Sequence, residues 1–260
     1  MIKAKKSLGQ NFLIDKNILE KIVEVAEIKD KYILEIGPGT GNLTSFILKK
    51  KPKKLYVIEK DKELISTLDE KFKNKISIIN EDILKINEKT LFNGKLTVFG
   101  NLPYNISTEI LCKWILNLDE NIFWFDSLIL MFQKEVANRI ISKFDTSSYG
   151  RLSILANWRL EILKICDVKP DSFSPKPKVE STLLFFKPKK KYFIFRNPEN
   201  LEKITRIFFN HRRKMIKKPF NQIFNGNKKI LEKLNIKLNL RPQNLNFDTY
   251  YNLTKEYEKL

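Results

Sequence analysis

Tyr32-Ile33-Leu34-Glu35-Ile36-Gly37-Pro38-Gly39-Thr40-Gly41 decides the fold. An aliphatic run of strand length passes without a spacer into a glycine turn, and after Gly41 the apolar pattern becomes helical over residues 42–49. Strand, tight turn and helix in that order open a βαβ unit, and the end of such a strand is where open α/β sheets bind nucleotides. Three of the chain's 8 glycines fall between positions 37 and 41. Glycine allows positive φ and a close approach of backbone to ligand. The spacing is Gly-x-Gly-x-Gly, not the Gly-x-Gly-x-x-Gly of dinucleotide enzymes, so taken alone the loop is a weak signal with an ordinary strand-to-helix turn as the lesser alternative.

Working outward, β-branched or aromatic runs at residues 55–58, 76–80, 96–99 and 127–132 predict strands, with helices at 61–72 and 107–116 between them. Regular alternation of this kind predicts a parallel sheet with helices on both faces. Two later runs, 160–166 and 181–186, flank a proline-rich stretch at 170–177 and predict an antiparallel hairpin at the sheet edge. Beyond Pro188 the pattern changes to short amphipathic helices near 199–216, 228–235 and 247–258. The expected division is an α/β domain over residues 1–187 and a small helical domain over 188–260, with the lysines at 187–191 as a linker.

Composition narrows the function. The 260 residues are 42% apolar, enough for a genuine core. No apolar run approaches the ~18 residues that cross a bilayer, and the basic start at residues 1–6 leads into no apolar signal core, so a cytoplasmic protein with no membrane partner is expected. Cys112 and Cys166 lie outside any Cys-x-x-Cys spacing and read as free, buried thiols. A single histidine, His211, argues against His-based triads and His-rich metal sites, and no metal is expected. The formal charge of +19 implies a polyanionic partner, and residues 187–260 carry +13 of it. Biased codon usage explains 41 lysines against 8 arginines, but not 49 basic residues against 30 acidic ones.

Further segments carry the chemistry. Glu59 ends the second strand 22 residues after Gly37, close to the offset of a carboxylate that accepts from ribose hydroxyls. Asp82, just past the third strand, is placed to accept the amino group of a cofactor's adenine, or equally to cap a helix. The fourth strand runs into Gly100-Asn101-Leu102-Pro103-Tyr104-Asn105-Ile106-Ser107. The N6 amine of adenine is a poor nucleophile because its lone pair is delocalised into the ring. The Asn101 side-chain oxygen and the Leu102 carbonyl offer acceptors for its two hydrogens, which frees that lone pair; Asn101 orients and is not a base. Pro103 stiffens the loop and Tyr104 offers a face for a base drawn out of its helix, the alternative being a proline turn with a core tyrosine. Residues 9–13 (Gly-Gln-Asn-Phe-Leu) read as an arm packed on the core. Phe173, before Ser174-Pro175-Lys176-Pro177, presents an aromatic on a stiffened loop, either to stack or as a rigid hairpin connection. Arg212, Arg213 and Lys214 read as a phosphate-gripping cluster or a solvated helix face.

Together these segments resemble the ribosomal RNA small-subunit adenine dimethyltransferase family. The matching residues, which also include Tyr149-Gly150-Arg151-Leu152-Ser153, extend from 9 to 214. The resemblance implies a class I, Rossmann-like S-adenosylmethionine-dependent methyltransferase fold with a mostly parallel seven-stranded sheet and an all-helical C-terminal domain. It implies dimethylation of two adjacent adenosines near the 3' end of small-subunit rRNA, in an immature small subunit, by a monomer that releases S-adenosylhomocysteine. It assigns cofactor contacts to Asn11, Leu13, Gly37, Glu59, Asp82 and Asn101 and base handling to Asn101, Leu102, Tyr104 and Phe173; the glycine loop adds Glu35, Gly39 and Gly41 to the expected cofactor contacts, and Arg212, Arg213 and Lys214 are the expected RNA contacts. A departure follows Arg213, where Lys217-Lys218-Pro219 sets a proline in what otherwise continues as helix. The rival expectations are the large-subunit adenine methyltransferase of macrolide resistance and a ribosome-assembly or transcription factor that keeps the fold.

Overall fold

The computed structural model describes residues 4–5, 9–91, 94–118 and 122–260; of the basic start at residues 1–6, only Ala4 and Lys5 lie within it. Its strands are β1 (Phe12–Leu13), β2 (Tyr32–Ile36), β3 (Lys54–Glu59), β4 (Ser77–Asn80), β5 (Leu96–Asn101), β6 (Phe125–Gln133), β7 (Leu160–Val168), β8 (Phe173–Ser174) and β9 (Ser181–Pro188). The helices are α1 (Lys16–Glu24), α2 (Asn42–Lys49), α3 (Lys62–Phe72), α4 (Glu88–Leu91), α5 (Ser107–Leu116), α6 (Lys134–Ile141), α7 (Arg151–Arg159), α8 (Glu199–Phe209), α9 (Lys217–Phe224), α10 (Lys228–Leu234) and α11 (Phe247–Tyr257).

Seven strands form one sheet in the order β4-β3-β2-β5-β6-β9-β7, and β1 pairs separately with β8. The pairs from β4 to β6 are parallel and β9 runs antiparallel to β6. The two late strands expected as an edge hairpin are indeed neighbours, but only β7 is the edge, since β9 lies against β6. Ile33, Leu34, Val98, Phe99, Leu128 and Ile129 are buried almost completely, as strands of a parallel sheet covered on both faces must be.

Contacts divide the chain into two compact units: residues 1–113, 122–137 and 162–188, and residues 114–121, 138–161 and 189–260. The second unit therefore gathers more than residues 188–260. The reason is α7, whose Leu152, Ile154, Leu155 and Trp158 are buried in a unit built with α8 and α11. Lys189, expected in a linker, is fastened inside that unit, its backbone N–H donating to the Arg159 carbonyl at 2.8 Å. The helix expected over 199–216 stops at Phe209. Residues 210–213 turn, and the Ile216 N–H bonds to the Leu240 carbonyl before α9 begins. Pro219 then sits in the first turn of α9, where a backbone N–H has no intrahelical partner to lose. Cys112 and Cys166 are half-buried, not buried.

Candidate functional site

The registers of the parallel strands build the site. Ile36 lies beside Ile58 and Gly100, and Ile58 beside Ile79, so the loops that follow β2, β3, β4 and β5 open on one edge of the sheet. Gly37 and Asp82 lie in those loops, and Glu59 and Asn101 are the last residues of β3 and β5 before them. The sequence thus places four separate segments at one cleft through strand length alone.

The first loop is closed by the Gly41 N–H on the Pro38 carbonyl, at 2.9 Å, and by the Gly37 N–H on the Ile58 carbonyl, at 3.0 Å. Gly39 has φ +58°, and a Cβ there would meet the Phe12 ring at 2.7 Å. Gly41 has φ +76°, and its Cβ would lie 2.4 Å from the Phe72 ring. Both positions demand glycine on two counts. Glu35, one residue before the end of β2, is 2% exposed and accepts from Thr44 Oγ1 at 2.6 Å. Burial, with the Glu59 charge adding to it, pushes the Glu35 carboxyl up to about 8.

Glu59 holds the floor of the cleft. Its Oε1 accepts from the backbone N–H groups of Lys60 and Asp61, both at 2.9 Å, and its Oε2 from Gly39 at 3.3 Å. Burial raises its pKa against those bonds. Asp82 accepts from the Leu84 N–H at 3.0 Å and from Lys60 Nζ at 2.8 Å, and that ammonium holds its carboxyl below the ordinary value.

The N-terminal arm proves to be part of the site. Asn101 Nδ2 donates to the Asn11 carbonyl at 2.8 Å, and Asn42 Nδ2 to the Leu13 carbonyl at 2.8 Å. Gln10 and Lys5 both reach Asp61, the residue that caps α3. Gln10, Asn42 and Asp61 were missed by sequence reasoning. Only Asp61 carried a signal, an N-cap before a helical pattern.

In the loop after β5, Leu102 is 1% exposed, so it can offer the cleft only its backbone. The Ile106 N–H closes the loop on the Pro103 carbonyl at 3.1 Å. The Tyr104 hydroxyl lies 2.6 Å from Ser181 Oγ, and burial raises the phenol above its usual pKa.

Asn11, Leu13, Glu35, Gly37, Gly39, Glu59, Asp82, Asn101, Leu102 and Tyr104 all line one cleft of about 220 Å³; Gly41 only closes the loop behind it. Phe173 does not line it. Its ring is 3% exposed and belongs to the core with Leu13, Met131 and Leu183, because β8 pairs with β1 and places Phe173 opposite Leu13. The expectation of an open aromatic face at this position is corrected accordingly. Arg213 and Lys214 are exposed in the second unit, whereas Arg212 is half-buried and donates to Gln243 and to the Thr146 carbonyl.

Among the described residues, Glu59, Glu81 and Asp82 and the buried, proton-holding Glu35 line the cleft with Lys60 as their cation. That donor set repels a pyrophosphate and suits a ligand carrying a sulfonium and an ammonium. The apolar Ile58, Leu64, Ile83 and Leu84 beside it suit an adenine ring. These residues therefore fit S-adenosylmethionine and do not fit a dinucleotide.

Sheet order, glycine loop and acidic cleft together define a class I methyltransferase. A family model described as ribosomal RNA adenine dimethylase matches residues 1–259. The ribosomal RNA small subunit methyltransferase A of Pelagibacter ubique is 66% identical and covers 100% of this chain and 98% of its own length. The protein of the same name from Ehrlichia ruminantium is 43% identical, covering 96% and 95%. A crystal structure of a dimethyladenosine transferase from Plasmodium falciparum superposes with a TM-score of 0.81 at 29% identity, covering 95% of this chain and 98% of that one. The 23S rRNA methyltransferase ErmE superposes with a TM-score of 0.69 at 22% identity, covering 96% and 100%, which is a likeness of fold. The chain belongs to the ribosomal RNA adenine dimethylase family.

Proposed function

We propose that this enzyme methylates N6 of two adjacent adenosines in the 3'-terminal hairpin of small-subunit rRNA, placing two methyl groups on each. When bound in the acidic cleft, S-adenosylmethionine supplies an electrophilic methyl group and leaves as S-adenosylhomocysteine. The polarity of the Asn101 amide carries this reading. Its donor end is engaged by the Asn11 carbonyl, which leaves Oδ1 to accept from the target amine. The Leu102 carbonyl takes the second hydrogen, and the N6 lone pair is then turned toward the methyl group. Position, and not an added base, accounts for the rate, and the cationic N6 left by each transfer gives up its proton to solvent water. Tyr104, neutral and tethered to Ser181, serves as the face against which the extruded base lies.

Glu59 Oε2 retains acceptor capacity for a ribose hydroxyl, and Asp82 for the cofactor's adenine amine. Arg213 and Lys214, with the +13 of residues 187–260, favour an rRNA phosphate contact in the second unit. The enzyme acts as a monomer in the cytoplasm on an immature small subunit. No observation favours the large-subunit substrate beyond a shared fold, and an intact acidic cleft beside an intact Asn101 loop argues against a purely structural factor.

Calorimetry with S-adenosylmethionine and with NAD, followed by labelled methyl transfer to small and to large subunits, tests the proposal. Binding of the first ligand alone and label in small-subunit rRNA alone are expected.

A further inference from the structure

The first unit carries a second groove on the far side of the glycine loop from the cleft, and its Lys71 and Phe72 back onto that loop at Thr40 and Gly41. The groove is formed by the end of α2, the loop before β3, the end of α3 and the turn before β4, so it lies at the end of the sheet where β3 and β4 begin. The cofactor cleft lies where these strands finish. The groove has a volume of about 770 Å³ and, among the described residues, is lined by six lysines, Lys49, Lys51, Lys53, Lys54, Lys71 and Lys75, and by no acidic residue. Ser45, Asn74 and Ser77 add neutral polar groups, and Leu48, Leu55, Phe72 and Ile76 make an apolar floor.

Lysines in the last turn of a helix complement its exposed carbonyls, and that accounts for Lys49. Lys71 Nζ donates to the Thr40 and Gly41 carbonyls at the start of α2, which fixes it on the glycine loop and not on the carbonyls of its own helix. Neither accounts for Lys51, Lys53, Lys54 and Lys75, which lie beyond the ends of α2 and α3. Elsewhere in the first unit several lysines are matched with carboxylates, as in Lys5–Asp61, Lys60–Asp82, Lys113–Glu88 and Lys134–Glu180, while the lysines without such a partner among the described residues, Lys16, Lys29, Lys62 and Lys85 among them, line no groove of this kind. Next to the groove, Glu24 pairs with Lys50 and Glu27 with Lys31, neither of which lines it. Among the described residues no ion pair joins any of the six to a carboxylate. Lys53 and Lys54 instead lie over the rings of Tyr32 and Tyr56, each at 4.7 Å, which holds their stems without neutralising their charge.

The first 186 residues carry only +6 of the chain's charge, so this single-signed groove does not follow from general basicity. Keeping so many ammonium groups together costs electrostatic free energy unless an anion offsets it. The polar groups and apolar floor match a sugar–phosphate chain better than an isolated ion.

We propose that this groove binds the phosphodiester backbone of rRNA at a second place, apart from the adenosines being methylated. The proposal rests on the rRNA reading above. The substrate then spans both ends of the sheet, and the lysines fix its position without reading its sequence.

The test uses the full chain with K51Q, K54Q and K75Q combined, all at exposed positions outside the cofactor cleft. Affinity for small-subunit rRNA is measured over a range of salt. Each lost phosphate contact removes about 0.7 to 0.9 from the slope of log affinity against log salt, so a decrease of about 2 to 3 is expected. Affinity for S-adenosylmethionine should be unchanged, which also reports folding, and the matching arginine triple variant should keep the full slope. An unchanged slope in the glutamine variant, with wild type binding and methylating normally, overturns the groove alone. Failure of wild type to bind or methylate small-subunit rRNA overturns the rRNA reading and the groove together. Binding of wild type, but not the glutamine variant, to phosphatidylserine vesicles with no change in the rRNA slope assigns the groove to a membrane surface and overturns the proposal.

Discussion

Asn101 Nδ2 donates to the backbone carbonyl of Asn11 at 2.8 Å, so a residue of the N-terminal arm sets which end of the Asn101 amide faces the cleft. Reversal of that amide would leave its donor toward the target amine and its oxygen against a carbonyl. Asn101→Ala is therefore expected to lower single-turnover methyl transfer by on the order of 100-fold or more, with rRNA affinity little changed, because the bond matters most as N6 attacks. Asn101→Asp should fare no better, since its carboxylate faces the Asn11 carbonyl. Rapid-quench transfer with saturating S-adenosylmethionine measures both; near-normal transfer by either variant removes Asn101 from the mechanism.

Phe173 tests a different kind of statement, because its ring is in the core opposite Leu13. Phe173→Ala should destabilise the protein by about 3 to 5 kcal/mol, lowering Tm by on the order of 10 °C. Phe173→Leu should recover most of that stability and, with it, normal transfer. A leucine variant that is stable yet defective in transfer would return the ring to the base-stacking role expected from sequence.

Glu35 gives a pH dependence whose sign is fixed. Its carboxyl titrates at about 8 when folded and near 4.5 when unfolded. Between these values the folded chain holds a proton that the unfolded chain has lost. The cost of burying Glu35 is thus absent at low pH, grows as pH rises from about 4.5 to about 8, and is complete above that. Glu35→Gln keeps an acceptor for Thr44 and removes the cost. Thermal unfolding should show its Tm advantage over wild type widening from about pH 5 to pH 8 and constant beyond. An advantage independent of pH would mean that Glu35 is ionised throughout.

Arg213 and Lys214 are exposed, while Arg212 is held by Gln243 and Thr146. Replacing Arg213 and Lys214 with Ala should reduce the salt slope of rRNA affinity by about 1.4 to 1.8. Arg212→Ala should chiefly lower Tm. A slope that responds only to Arg212 would contradict this division.

Much of this was legible in the sequence because its signals are local. The glycine loop, with strand before and helix after, requires only neighbours, and Glu59, Asp82 and Asn101 follow from the same strand-end rule. Contacts made across long stretches of chain were not legible. Nothing near Asn11 indicates that its carbonyl meets Asn101, 90 residues away, or that Tyr104 meets Ser181. Phe173 was misplaced because two residues are too short for a strand pattern, so its pairing with β1 leaves no periodicity to read. The helix over 199–216 was overextended because the Ile216 bond to Leu240 that ends it is tertiary.

The most direct measurement is the mass of the 3'-terminal fragment of small-subunit rRNA, taken from immature subunits lacking the modification and incubated with this enzyme and S-adenosylmethionine. Addition of four methyl groups, located by fragmentation as two adjacent N6,N6-dimethyladenosines and absent with Asn101→Ala, is the expected result. An unmodified fragment, or methyl groups found instead in large-subunit rRNA, would contradict the proposed function.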